Sequence, residues 1–453
     1  MTDRMFLTPL EEYFFHEDRQ AYPWSFFVRL DFAGHAQRQA AEKALGNSLG
    51  RHPLLSSVVQ HEVGALAWRP VDNAMPVVSW TTARAESPYL PAARLDVREE
   101  IGLRVYFALG QESTRLIFQF HHAACDARGA VAFIGDWLAE YGRAIDGGTD
   151  YGTACSYDPA LLALRNAPDP AGATPANPLR AHWANLLRIG SFFMYSPAPL
   201  VDHRPACDDD ATPPGYPAAR SYRFDEAATA EIRSAGKRCG ATVNDLLCRD
   251  LFLTIQTFRH ETGQRTTGWL RLAVPVDLRT EAHQRMSAAN LTSMVFLTQH
   301  AAPGSDPAAL LQGIHEEMRQ VKTWRLARTF VRGLQIRRHL PGGLARAVRS
   351  GRCQATATMT NLGEIFAGSP LPRREGRLVA GNLLLDSADF LAPVRPLTCA
   401  SVSACTYAGR LTLNLHYDPR VLSEDWATRL LDTLVGHVRN YCHTSLTLAR
   451  APQ

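Results

Sequence analysis

The sequence has no cysteine framework. Its nine cysteines, an odd number, are scattered from Cys125 to Cys442, and the closest pair, Cys399 and Cys405, is separated by five residues. That spacing excludes CxxC redox and zinc patterns and is expected of reduced thiols in a cytosolic compartment. Charge of one sign is also lacking. Lys plus Arg number 48 against 44 Asp plus Glu, a net +4, too little over this length for a dedicated nucleic-acid binder. No uncharged apolar run approaches the ~18 residues of a bilayer span. The N-terminal MTDRMFLTPLEEYFFHED lacks the basic-then-apolar order of a signal peptide, so a cytoplasmic, soluble protein is expected. Phosphate-loop, HExxH and dinucleotide fingerprints are missing, and no short repeat points to a solenoid. Gly46-Asn-Ser-Leu-Gly50 matches GxSxG, but its serine closes a helical stretch where a nucleophile elbow needs a strand before it.

What remains is a chain of 453 residues, 46% hydrophobic, the length of two subdomains. Residues 196–220 hold six prolines and the triplet Asp208 to Asp210, suited to a surface crossover. Residues 166–178 also read as loop. We therefore expect an N-terminal subdomain over 1–195, a linker over 196–220 and a C-terminal subdomain over 221–453. Alternation in Ser25–Phe32 predicts a half-buried strand with Phe27 out of pattern. A helix follows from about Ala36 to Leu49, ended by Pro53. Leu103–Leu109 and Leu116–Phe120 read as a hairpin turning at Gly110. Val131, Ile134, Trp137, Leu138 and Tyr141 recur at helical spacing. In the second half, Leu246–Phe258 reads as a helix capped by Asn244 or Asp245, and Leu270–Val276, Met294–Gln299 and Leu411–Leu415 as strands. Ser423 caps a last amphipathic helix. This imperfect alternation predicts mixed α/β architecture in two sandwiches.

The segment LIFQFHHAACDARGAVAFIGDW, residues 116–137, carries the chemistry. A strand runs out at Phe120, two histidines follow, Asp126 comes four residues after His122, and a helix opens near Gly129. A histidine just past a strand end sits on a rigid element, and imidazole titrates near about 6.5, where it takes and returns protons. Taken singly, Asp126 is explained as a helix N-cap and His122 as a hydrogen-bonded structural residue. The combination is more specific.

HHAACDARG at 121–129 resembles the HHxxxDG motif of the chloramphenicol-acetyltransferase-like superfamily, which includes condensation domains, alcohol acyltransferases and wax-ester synthase/diacylglycerol acyltransferases. ALGNSLGRHPLLSSVV at 44–59, ATVNDLLCRDLF at 241–252, LAVPVDLR at 272–279, TNLGEI at 360–365 and the closing LTLNLHYDPRVLSEDWATRLLDTL are similar to further landmarks of that group, in its order. Ala127 replaces the usual glycine, with Gly129 two positions on, and no DFGWG motif is present. The resemblance implies two acetyltransferase-like lobes around a tunnel. His122 would be the general base and His121 its motif neighbour. Asp126 would pair with an arginine, Arg279 being our choice and Arg271 the competitor, and Thr360 and Asn361 would be oxyanion or tunnel residues. It also implies acyl transfer from acyl-CoA to a hydroxyl with no bound cofactor or metal. A condensation enzyme using a carrier-bound acyl group, and a non-catalytic binding protein, are the alternatives.

Arg319–Arg352 holds ten Lys or Arg residues and no acid. Three-to-four spacing predicts that Arg319, Lys322, Arg325, Arg328 and Arg332 share one helical face. Beside a plain solvated face, the readings are a dock for CoA phosphates, for an acyl-carrier protein or for an anionic membrane surface. We expect a monomer with small-molecule donor and acceptor and no nucleic acid. Ser191-Phe-Phe-Met-Tyr195 reads as core or as acyl-pocket lining.

Overall fold

The computed structural model describes residues 5–82, 89–147, 151, 156–166, 178–202, 211–301, 306–349 and 351–440. Asp208 to Asp210 and most of the 166–178 loop lie outside them. Two mixed sheets organise the chain. The first has seven strands in the spatial order 373–374, 377–380, 383–391, 25–33, 113–121, 103–109 and 77–81. The second has six, in the order 292–301, 268–277, 357–364, 400–407, 410–417 and 219–223. Parallel pairs, such as 357–364 beside 400–407, sit among antiparallel ones. A small three-stranded sheet, 5–6 with 65–70 and 57–62, flanks the first. No described helix is long and apolar enough to cross a membrane.

The expected elements form because their apolar periods match their burial. The hairpin Leu103–Leu109 and Ser113–His121 closes at Gly110, whose N–H donates to Ser113 O. Helix Ala127–Asp146 buries Phe133, Ile134, Trp137, Leu138 and Tyr141 against the first sheet. Helix Glu424–Arg439 carries Ser423 as cap and buries Leu430, Leu431, Leu434 and Val438 in the second core. Ser48, of the GxSxG match, lies buried inside helix Arg38–Leu49 and not on an elbow.

Four expectations change. Strand Ser25–Ala33 is covered on both faces: Phe27 joins a small second core with Tyr89, Ile117 and Tyr216, which is why it broke the alternation. Thr242, not Asn244 or Asp245, caps helix Val243–Glu261, and Asp245 closes the capping box from its third position. The basic segment is not one helix. Helix Pro307–Thr323 stops at Trp324, Arg325 takes a left-handed backbone (φ 52°), and the chain restarts at Thr329, a break that returns Leu326 and Leu334 to buried positions. The 221–453 span is not one lobe either. Residues 373–391 return to the first sheet, where strand Leu383–Leu391 pairs with Ser25–Ala33. Those strand residues are buried except Asp386, so the strand completes a sheet that would otherwise expose an apolar edge.

One charge pair locks that return. Arg29 reaches Asp389 across the strand pair, Arg223 Nη2 stands 3.3 Å from the same carboxylate, and Arg29 lies over the Tyr89 ring. Asp389 is fully buried, so removing it strands a desolvated guanidinium. Asp389→Ala is expected to cost about 3–5 kcal/mol by urea denaturation, and replacing Arg29 and Asp389 together by Met and Leu to recover much of it. A single-variant loss below ~1 kcal/mol, the range of exposed pairs, would show the pair to be dispensable.

Candidate active site

His122 begins where the ladder ends. Ser25 pairs with His121, and the His122 N–H extends the register by donating to Trp24 O at 2.9 Å. The two neighbouring rings then part. His121 is fully buried, accepts the Ala123 N–H at Nδ1 (3.1 Å) and turns Nε2 toward Asp18 at 3.7 Å. His122 lies among Phe14, Trp24 and Phe26, with centroids 4.4, 6.3 and 5.1 Å away, and lines a cavity between the lobes. Burial pulls its pKa down from the ordinary 6.5 to about 4, only partly offset by its own carbonyl, the Asp126 charge and Asn290. The imidazole is therefore neutral at physiological pH.

Asp126 meets both descriptions given from sequence. As N-cap of helix Ala127–Asp146 it accepts the Gly129 N–H at 2.9 Å. It also accepts both terminal nitrogens of Arg279 at 2.8 Å, one on each oxygen, and the Leu291 N–H at 2.8 Å. Burial works against its charge, yet Arg279 and the two N–H groups hold the carboxyl below its usual range. Arg271 is not its partner. That guanidinium, buried and lowered to about 10, serves Thr298 Oγ1 and the carbonyls of Gln354, Phe192 and Tyr195.

Arg279 also donates to Ala289 O, so the carboxylate fastens the 284–291 segment of the second lobe over the motif loop of the first. Two residues that sequence reasoning missed complete this seam. Asn290 donates to the carbonyls of His122 (2.9 Å) and Ala123 (2.7 Å). His52, fully buried, accepts the Ala288 N–H at Nδ1 and holds Asp136 at Nε2, both at 2.9 Å. His52 lies within the landmark ALGNSLGRHPLLSSVV, in which the resemblance assigns it no role, and Ala288-Ala-Asn has no pattern of its own. Gly129 supplies a close backbone approach two positions after Ala127: a Cβ there would stand 3.0–3.2 Å from backbone atoms of Ala288 and Ala289.

Thr360 and Asn361 line the same cavity, on strand Ala357–Glu364. Asn361 Oδ1 accepts the Gly363 N–H (2.9 Å), the local turn, so its oxygen is engaged there. A neighbouring cleft is lined by Lys322, Arg325 and Arg328 and shares Pro275, Val276, Asp277 and Asn361 with the His122 cavity. Arg332 lines neither. On another side Arg128 is common to the cavity and to a cleft beside Ala132 and Phe366. Within Ser191–Tyr195, Phe192 packs on Phe296 at 4.9 Å, while Phe193 and Met194 face solvent and line no part of the cavity.

The seam makes Gly129 a sensitive position. Gly129→Ala is expected to lower stability by about 1–3 kcal/mol in urea titration, because backbone must yield. Gly135→Ala on the same helix, where a Cβ meets nothing within 4 Å, should raise it by about 0.5–1 kcal/mol. Equal effects would show that the contact is not tight.

Residues 213–416 match the family model described as phthiocerol/phthiodiolone dimycocerosyl transferase C-terminus. No curated protein matches the chain by sequence. Among solved structures, the chain is similar to the first condensation domain of the CDA synthetase, with TM-score 0.71, 15% identity and 98% of each chain covered. A variant of the starter condensation domain of rhizomide synthetase, in complex with C8-CoA, aligns with TM-score 0.69 and 13% identity over 98% of this chain and 96% of that one. Polyketide synthase associated protein 5 from Mycobacterium tuberculosis aligns with TM-score 0.64 and 15% identity over 96% and 97%. At these identities the structural likeness speaks for the fold. The chain thus has the two-lobed fold of the condensation domains, and its residues 213–416 match one acyltransferase family model.

Proposed function

We propose that the protein transfers an acyl group from acyl-CoA to an acceptor hydroxyl, with His122 as general base. The observation that carries this reading is a neutral imidazole on the wall of a cavity that shares residues with two further clefts. Nδ1 of His122 is enclosed, which leaves Nε2 for the reactants. There the ring takes the acceptor's proton as its oxygen attacks the thioester carbonyl. The tetrahedral adduct then collapses, the C–S bond breaks, and the imidazolium returns the proton to the departing sulfur, leaving ester and free thiol. Thr360, in the wall, is the candidate donor to the oxyanion. Asp126 holds the loop through Arg279 and relays no proton. The cleft with Lys322, Arg325 and Arg328 suits the phosphates of CoA, which a relative of the same fold holds as its C8 thioester.

Transfer is tested with acyl-CoA and, separately, an acyl-carrier protein as donor, against alcohols and amines. Release of thiol from acyl-CoA with ester formation is expected; amide formed only from the carrier would favour a condensation enzyme. His122→Ala should lose about 10²–10⁴ in rate with an unchanged circular dichroism spectrum. Full activity in that variant would remove His122 from the chemistry.

The lowered pKa gives a pH signature. The acid limb of kcat/KM should fall below 6.5, toward about 4, because the base stays unprotonated there. Stability must be followed in parallel. His122 and His416, both lowered to about 4 by burial, bind protons in the unfolded chain near 6.5, so acidification between those values destabilises the fold. An acid limb at or above 6.5 would contradict a partly buried, neutral base.

At the cleft, Lys322→Ala and Arg325→Ala should raise KM for acyl-CoA and leave that for acyl-pantetheine unchanged, whereas Arg332→Ala should alter neither. A rise for both donors would move the phosphate site elsewhere.

A further inference from the structure

Helix Pro178–Met194 is amphipathic in the reverse sense for a surface helix. Its inward contacts include polar ones. Asn185 accepts Thr329 Oγ1 at 2.6 Å, Arg188 pairs with Glu317 at 2.9 Å, and Arg271 holds the carbonyls of Phe192 and Tyr195 beyond the last turn. Its outer face is apolar. Trp183, Leu187, Phe193 and Met194 are 63%, 72%, 63% and 72% exposed, and Leu186 is 44% exposed. At about 100° per residue these positions fall within an arc of roughly 120°, a continuous stripe over three turns. Soluble chains rarely leave such a stripe uncovered without a use for it.

The flank identifies what covers it. Thr329, which bonds the buried side of this helix, opens helix Thr329–Arg338, and from there Ile336 and Leu340 stand 67% and 46% exposed, with Arg332 exposed on the preceding turn. Neither helix Pro178–Met194 nor helix Thr329–Arg338 contains an acidic residue, while the latter carries Arg332, Arg337 and Arg338, the last paired with Glu12. We infer that the outer faces of these two helices dock the protein on an anionic membrane surface, the stripe entering the headgroup boundary and the arginines meeting lipid phosphates. A tryptophan with Phe, Leu and Met on an exposed face suits insertion at that depth. The same cations oppose a second copy, because a two-fold contact would bring like charge to like charge. Phe330, on the helix that carries Ile336, lines the His122 cavity, as does Phe296, on which Phe192 of the first helix packs. The docked face therefore backs onto the cavity wall, on the side from which a long-chain substrate would leave the bilayer. Membrane docking stands on these contacts whether or not His122 transfers acyl groups.

Vesicle flotation of the purified full chain tests this inference. It should float with vesicles of phosphatidylcholine containing phosphatidylglycerol, less so as salt rises, and hardly with phosphatidylcholine alone. Trp183→Ser combined with Phe193→Ser should weaken binding by about tenfold or more, since two large apolar side chains no longer insert. Arg332→Glu should weaken it for the anionic vesicles. Because these side chains face solvent, melting temperature and transfer between soluble short-chain substrates should stay unchanged. The inference is overturned if the protein ignores anionic vesicles or if the variants bind as the parent does. It is equally overturned if the stripe variants abolish a concentration-dependent dimer, or binding of an acidic carrier protein, while flotation persists.

Discussion

The architecture of the site depends on one buried carboxylate. Asp126 is charged in a place that penalises charge, and it stays charged because Arg279 grips both oxygens while the Gly129 and Leu291 N–H groups point at them. Such a group is costly to leave unsatisfied, so each donor must arrive together. Two of them, Arg279 and Leu291, belong to the second lobe. The histidine loop is thus a seam between lobes and not a loop of the first lobe alone. Once Leu291 is fixed, its neighbour Asn290 is delivered to the His122 carbonyl, and Ala288 to His52.

The seam explains how an imidazole can face a cavity and still be held. Main-chain bonds fix the His122 backbone on one side through Trp24, and Asn290 fixes its carbonyl on the other. Three aromatic rings enclose the side chain. The strand 383–391 adds a second tie, since a segment late in the chain completes the sheet that carries the histidine. Phe390, at the end of that strand, is itself part of the cavity wall. Rigid walls of this kind keep an imidazole in place without using its own ring hydrogen bonds.

Much of this was legible from residue order. Strand Ser113–His121 and helix Ala127–Asp146 announced themselves by period and by the Asp126 cap, which are local effects. Arg279 was found through resemblance, since nothing in VPVDLR alone says which carboxylate it meets. Asn290 and His52 were not legible, because their roles arise only when segments far apart in sequence touch. The basic stripe misled because Lys322, Arg325 and Arg328 keep helical spacing across a real break at Trp324 and Arg325. They still converge, but on a cleft and without Arg332. Helix Pro178–Met194 is not among the elements expected from sequence: only Ser191–Tyr195 is weighed there, as core or pocket lining, and its Phe193 and Met194 face solvent instead.

The most direct test of the seam is a double-mutant cycle on Asp126→Asn and Arg279→Met, read by both urea denaturation and acyl transfer. The seam requires each single variant to lose several kcal/mol of stability, about 3–5 for a broken buried pair, and the double variant to lose less than the sum. Both single variants should also lose turnover although neither side chain is assigned a step in the chemistry. Additive losses in the cycle, or an Asp126→Asn enzyme with parent turnover, would contradict the claim that this carboxylate holds the site together.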